Sequence, residues 1–377
     1  MLRMNAGKDT DPLYNLIAQT SYAEHALLVT QLFRQMLSSY HDKKDRDGDA
    51  EVLSNKLISA IPLAQKINIV GIYPVYRLRI LDKTYRCTWR ELLARGSYNQ
   101  VYNADLTELT GDEDMESAKT VPAVVKVAIQ SNKDLRVYLL ENVIHAILWH
   151  LPATKPYVVP MCFPFRAKQS GHPPYVLGTV MRDPGHGDLG TWICNTLSSN
   201  HEMFSVLAQI SWVLYKLQKA VQFQHRDLKC DNVMIVQSFD SETIEVPELN
   251  LEYTYGNVGI GCLLIDFGMS RLEVHGEYLA CDCMHTNTVF NACHDLQYFC
   301  CSLVEDYEEE LRENAPRFFE WLRDLCRPIF DKLRETWPDY DKVCSAKKHE
   351  RLSFIVAKEK HHDFIPSHML RSLYKHL

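Results

Sequence analysis

The stretch that most constrains this chain is His225-Arg226-Asp227-Leu228-Lys229-Cys230-Asp231-Asn232, followed at once by the apolar run Val233-Met234-Ile235-Val236. An acid and an amide, Asp227 and Asn232, sit on a loop that runs straight into a buried strand. A second carboxylate, Asp266, stands in Leu264-Ile265-Asp266-Phe267-Gly268, again at the end of an apolar run. Two surface loops that happen to be charged could produce either fragment alone. Both together, in this order and each against a strand, point to one site.

The 377 residues suffice for one two-lobed domain, or for two ordinary domains with an extension. Hydrophobic residues at 46% against charged residues at 24% can fill a full core. The 41 basic and 48 acidic residues give a formal net charge of -7, so nucleic acid and anionic membranes are not expected partners. Twelve cysteines, including Cys300-Cys301, are scattered rather than spaced as a disulfide scaffold. The start, Met1 to Asp9, turns acidic before an apolar signal core could form. Reduced thiols in an intracellular, cytoplasmic or nuclear protein are the expectation. No run of about 18 uncharged apolar residues occurs, so no membrane-spanning helix is expected.

Residues 11 to 40 place Leu13, Leu16, Ile17, Leu27, Phe33 and Leu37 at helical spacing, which predicts one or two amphipathic helices. His41 to Glu51 reads as a solvated linker. Leu53 to Ala60 has a helical start, whereas Tyr76-Arg77-Leu78-Arg79-Ile80 alternates as a strand does. The expectation is an extension over residues 1–85, helical then mixed, that packs on the rest of the chain or docks a partner.

Leu93 to Tyr102 reads as strand, turn and strand about Gly96. The six acids and one lysine between Asp105 and Lys119 read as an exposed insertion. Ala123 to Ile129 is an apolar strand interrupted by Lys126, an ammonium that is costly to bury without a partner. In the helical stretch Leu135 to Leu151 the acid on the apolar side is Glu141. Asp134 competes, but sits where a helix start favours an acid. Lys126–Glu141 is the expected pair.

Further on, the strand Tyr175 to Met181 enters the turn-rich Arg182-Asp183-Pro184-Gly185-His186-Gly187, and a helix begins near Asp188. Phe204 to Phe223 is a long helix, and residues 237–259 form a polar insertion, a hairpin or surface loop. From Glu305 to Leu377 the chain reads as helical, with Pro316, Pro328 and Pro338 marking turns.

From about Leu92 to Phe299 the chain resembles the eukaryotic-type protein kinase superfamily. His225 to Asn232 is similar to its His-Arg-Asp-x-x-x-x-Asn catalytic loop, and Asp266-Phe267-Gly268 to its metal motif. The resemblance implies an α+β, two-lobed kinase-like fold. Its small β-rich N-lobe with one helix would occupy 86–182, and its larger helical C-lobe with a helical tail would occupy 183–377. It implies ATP and Mg2+ as cofactors and protein hydroxyls as substrates.

By the same resemblance, Asp227 takes the proton of the attacking hydroxyl, Lys229 contacts the γ-phosphate, and Asn232 and Asp266 hold Mg2+. Lys126, held by Glu141, anchors the α- and β-phosphates. Ala94, Gly96, Ser97 and Val101 cover the phosphates, in a loop that keeps one glycine of three, with Asn99 tolerating positive φ at the third position. Met181 is the gatekeeper, the backbone of Arg182, Asp183 and Pro184 faces adenine, and Asp188 either reaches the ribose or caps a helix. Cys293-His294-Asp295-Leu296-Gln297-Tyr298-Phe299 is similar to the large-lobe helix whose Asp hydrogen-bonds the catalytic-loop backbone.

Lys229 marks the serine/threonine form of the loop. The eroded glycine loop, the absence of Ala-Pro-Glu and the short segment after Gly268 are similar to divergent kinases such as haspin and those of large DNA viruses; if viral, the protein would act in a host cell. A pseudokinase scaffold and a small-molecule kinase of the aminoglycoside or choline type are the rival readings. Cys281, Cys283, His285, Cys293 and His294 cluster without the paired Cys-x-x-Cys of structural zinc sites, and plain residues are the commoner reading.

Overall fold

The computed structural model describes residues 63–70, 73–80, 83–96, 99–109, 120–128, 132–151, 155–168, 175–183, 185, 187–237, 242–255, 259–274, 277–280 and 290–377. The helices expected over 11–40, the linker after them and the helical start at Leu53 lie outside these residues. The chain divides into two compact units, one running to Lys155 and including Val159–Asp183, the other comprising Pro156–Val158 and Pro184–Leu377.

The first unit is β-rich. Strands β1 (Leu63–Val70), β2 (Tyr73–Ile80), β3 (Lys83–Arg95), β4 (Asn99–Leu109) and β5 (Thr120–Ala128) are followed by helix α1 (Asn132–His150), β6 (Met161–Lys168) and β7 (Tyr175–Arg182). The sheet order is β1-β2-β3-β4-β5-β7-β6, closed into a barrel where β1 meets β6 in parallel at Leu63↔Arg166 and Ala64↔Ala167. Period-two alternation sends Tyr76 and Leu78, Cys87 and Trp89, Ala104 and Leu106, and Ala123, Val125 and Val127 into one core with Phe165 and Val180. Each large apolar side chain buried there contributes roughly 1.5–3 kcal/mol. Gly178 is required opposite Phe165, its cross-strand partner, because a Cβ there would run into the ring.

An extension ending at residue 85 is therefore corrected. That boundary falls inside β3, and β1 and β2 belong to the same barrel as β4 and β5. The alternation of Arg77 and Arg79 with Leu78 marks strands with one buried face, which need a sheet to cover it.

The second unit is mainly helical. It contains α2 (Leu189–Asn195), α3 (Asn200–Val221), β8 (Val233–Gln237), β9 (Glu242–Val246), β10 (Leu251–Tyr255), β11 (Ile260–Leu264), β12 (Arg271–Val274) and β13 (Glu277–Ala280). Then come α4 (His294–Asp306), α5 (Glu308–Asn314), α6 (Pro316–Thr336), α7 (Ser345–Lys358) and α8 (Pro366–Leu373). The α+β composition is as expected, sheet first and helices after.

Helix α3 starts on a reciprocal cap, Glu202 N–H donating to Ser199 Oγ at 3.3 Å while the Glu202 carboxylate accepts from Ser198 N–H at 2.9 Å. It ends at Gln222 in the left-handed region. The polar insertion is a hairpin, β9 against β10. Pro316 opens α6, but Pro328 lies inside that helix and marks no turn. An interior proline costs about 3 kcal/mol. Burial of Cys326, Ile329, Phe330 and Leu333 around it offsets that cost. Among the described residues no helix is long and apolar enough to cross a membrane.

Candidate active site

In the first unit, Lys126 lies between Val125 and Val127 on β5, so strand geometry turns it to the face opposite the barrel core. Its Nζ donates to Glu141 Oε1 of α1 at 2.5 Å, and both residues are buried. The expected pair is thus formed, and a buried ammonium has the carboxylate that its burial demands.

Around the pair lies a polar network that sequence reading missed. Thr179, opposite Lys126 across β5 and β7, donates from its hydroxyl to Asn142 Oδ1 at 2.5 Å and lies 2.9 Å from the Tyr138 hydroxyl. Asn142 Nδ2 donates to Tyr138 O at 2.7 Å. His145, one turn after Glu141, lies 2.7 Å from Val159 O through Nε2. Burial drives the His145 pKa down to about 4; the Val159 hydrogen bond opposes the shift and the Lys126 charge adds to it. This imidazole is neutral at pH 7.

The strand-turn-strand about Gly96 is present, with Gly96 N–H donating to Asn99 O at 2.8 Å and Ala94 paired with Val101. Asn99 opens β4 opposite Ala128 and does not take positive φ, so the tolerance expected of it is not used. Two bulges in β3, at Trp89/Leu92 and Leu92/Ala94, leave Leu92 and Leu93 40% and 50% exposed beside the turn. Leu93 is an apolar surface that sequence reading did not single out. Ser97 lies outside the described residues.

Met181 and Arg182 end β7. The Arg182 N–H donates to Pro160 O at 3.0 Å and the Asp183 N–H to Pro122 O at 3.3 Å. A base facing this backbone would therefore meet carbonyls rather than these two donors. Pro184 lies outside the described residues.

In the second unit, Asp188 caps α2, accepting from Thr191 N–H at 2.8 Å and from the Thr191 hydroxyl at 3.1 Å. Of the two roles open to Asp188, the cap is the observed one. Pairing of β8 with β11 runs from Val233↔Leu264 to Gln237↔Ile260, and the Ile265 N–H continues it by donating to Asn232 O at 3.1 Å. This short ladder brings Asn232 beside Asp266. Asn232 Nδ2 donates to Asp227 O at 2.7 Å and to Asp227 Oδ2 at 3.2 Å, so the amide has its Oδ1 left as acceptor.

Asp227, Asn232 and Asp266 thus converge. The pKa of Asp227 is raised, first by burial and then by the Asp266 carboxylate, with Lys229 and His225 opposing. Two neighbouring carboxylates and an amide oxygen fit a divalent hard cation, which would relieve their repulsion. Asp266 takes φ 62° and Arg226 φ 68°, conformations that cost non-glycine residues roughly 1–3 kcal/mol each and collect at functional sites.

What holds this backbone is Asp295 on α4, an expectation the structure bears out. The His225 N–H donates to its Oδ2 at 2.8 Å and the Arg226 N–H to its Oδ1 at 2.9 Å. Burial works against the Asp295 charge, but the hydrogen bonds from His294 and Arg226 and the nearby imidazoles prevail, and its pKa is lowered. His225 Nε2 lies 2.8 Å from Ile265 O, and the rings of Phe223, His225 and Phe267 pack at 5.6–6.1 Å. Lys229 is half-exposed, 3.8 Å from Asp231. Cys281, Cys283 and His285 lie outside the described residues. His294 is engaged with Asp295 at 3.2 Å, and among the described residues no group of three His, Cys, Asp or Glu is placed to hold a metal.

Residues 177–352 match the model of the haspin-like kinase domain. The match covers Met181 to Asp188, the Asp227–Asn232–Asp266 cluster and its Asp295 support. A search of curated proteins finds no match. Over these residues the chain resembles haspin-like kinases, and the match supports protein kinase activity in general.

Proposed function

We propose, from this haspin-like kinase region, that the protein is an ATP-dependent serine/threonine kinase of two-lobed fold acting on protein hydroxyls inside the cell, in cytoplasm or nucleus. The observation that carries the reading is the convergence of Asp227, Asn232 and Asp266 on a backbone fixed by Asp295. ATP supplies the phosphoryl group, and Mg2+ neutralises the charge that develops on it.

Asn232 Oδ1 and the Asp266 carboxylate would hold the metal. Asp227, its proton affinity raised by burial, takes the proton from the acceptor hydroxyl. Lys229 offers its ammonium to the transferring group, and Lys126, held in place by Glu141, anchors the phosphates. Ala94, Gly96, Ser97 and Val101 cover the phosphates, Met181, Arg182 and Asp183 flank the adenine, and Asp188 contributes to the ribose any lone pair its cap leaves. Neither nucleic acid nor membrane is part of the proposal.

The test is incubation of purified protein with γ-labelled ATP, Mg2+, a protein panel, an aminoglycoside and choline. Label on protein serine or threonine is expected. Label on the small molecules alone, or Mg2+-dependent ATP binding without transfer, would overturn the reading.

A further inference from the structure

Helix α4 carries Asp295 near its start, Tyr298 one turn on, and Glu305 and Asp306 at its end. Two consecutive residues of α7 pair with those two consecutive acids: Lys348 Nζ lies 3.0 Å from Glu305 Oε2, and His349 Nε2 lies 3.0 Å from Asp306 Oδ1. The other ring nitrogen, His349 Nδ1, lies 3.4 Å from the Tyr298 hydroxyl. Tyr298 stacks on His294 at 6.5 Å and 16°, and His294 Nδ1 lies 3.2 Å from Asp295 Oδ1, the oxygen that takes the Arg226 N–H. A continuous chain of contacts therefore runs from α7 to the residue before Asp227.

We propose that His349 is a positioning residue for phosphoryl transfer, bridging Asp306 and Tyr298 so that the His294–Asp295 frame holds Asp227 in place. The proposal rests on the kinase reading above. Tyr298 and His349 touch no reacting atom; they act through Asp295.

The groups facing the imidazole are Asp306, Glu305 and Tyr298 from α4 and Lys229 from the catalytic loop, with Lys348 beside it on α7. A cavity of about 120 Å³ lined by Tyr340, Ser345 and Leu352 adjoins them. The hydrogen bond from Asp306 raises the His349 pKa, against burial and the Lys229 charge. A raised imidazole keeps its proton in the fold, so the charged bridge is complete below about pH 6.5 and is lost as pH rises through the raised value. Protonated, His349 can donate from both nitrogens, to Asp306 and to the Tyr298 oxygen; neutral, it donates to Asp306 and accepts from the Tyr298 O–H, without the charge that strengthens the Asp306 bond.

The experiment measures kcat and KM for ATP across neutral to alkaline pH in the wild type, His349→Gln, Tyr298→Phe and Arg351→Gln. Arg351 makes the separate α7 pair to Asp339 and serves as control. Expected are an alkaline fall in wild-type kcat, a kcat loss of roughly tenfold in His349→Gln below that limb with KM for ATP unchanged, and no such limb in that variant. Tyr298→Phe should lose kcat likewise, and Arg351→Gln should follow the wild type. An unaltered limb in His349→Gln, or the same loss in Arg351→Gln, would overturn the proposal.

Thermal melting without ATP separates this from failure of the kinase reading. The advantage of wild type over His349→Gln should be larger at acid pH than at alkaline pH, whether or not phosphate is transferred. An advantage that does not change with pH would overturn the bridge.

Discussion

Replacing Asp295 with alanine would leave the N–H groups of His225 and Arg226 buried without their acceptors, at 2.8 and 2.9 Å in the intact protein. Orphaning a buried donor costs about 1–3 kcal/mol, so two cost about 2–6 kcal/mol. Asp295→Asn keeps one acceptor but turns an amide N–H2 toward the other donor, and should lose about half as much. Urea unfolding followed by tryptophan fluorescence measures both losses. The pH dependence has a defined sign. The folded Asp295 pKa is lowered, so its contribution is present above the unfolded value of about 4 and is lost as pH falls through the folded one. Because Arg226 sits at φ 68° immediately before Asp227, relaxation of that backbone should also lower kcat in both variants. An Asp295→Ala protein within about 1 kcal/mol of wild type, with kcat unchanged, would refute the reasoning.

Other perturbations test the frame. Gly178→Ala should destabilise by roughly 1–3 kcal/mol in chemical denaturation, since its Cβ meets the ring of Phe165, which is buried in the barrel core. Glu141→Ala should cost on the order of 3–5 kcal/mol by removing the carboxylate paired with the buried Lys126 ammonium, and Lys126→Met in the same background should recover most of it. His145, its pKa lowered to about 4, contributes stability that is full above about pH 6.5 and is lost as pH falls toward 4. Acid titration of melting should show a loss on the order of 3 kcal/mol that His145→Gln lacks.

The parts of this site that could be read in the sequence are those with local signals. His225 to Asn232 and Asp266 to Gly268 each sit against a run of apolar residues, and the β8–β11 ladder that unites them is nothing more than the pairing of those runs. Lys126 announced a partner because an ammonium in an apolar strand needs one, and Glu141 was the acid on the facing helix side. Asp295 was legible through its resemblance to a known helix, not through spacing.

What was hidden lies in pairings distant along the chain. Tyr138 and Asn142 meet Thr179 across 41 and 37 residues, and Tyr298 meets His349 across 51. A tyrosine, asparagine or histidine on a buried helix face carries no mark of its partner. The place of β1 and β2 in the barrel is hidden for a related reason. The strand-like alternation of β2 was visible, but nothing local says that β1 closes on β6, a contact of two residue pairs about a hundred positions apart. Pro328 suggests a turn because proline usually breaks a helix, but the buried face of α6 overrides that preference.

The proposed phosphoryl transfer calls on Lys126, Asp227, Asn232 and Asp266. Its most direct measurement is autophosphorylation with γ-labelled ATP by purified wild type, Lys126→Met and Asp266→Asn, with melting curves to show that each remains folded. Label in the wild type and none in either folded variant is the predicted result; undiminished label in both variants would contradict the account.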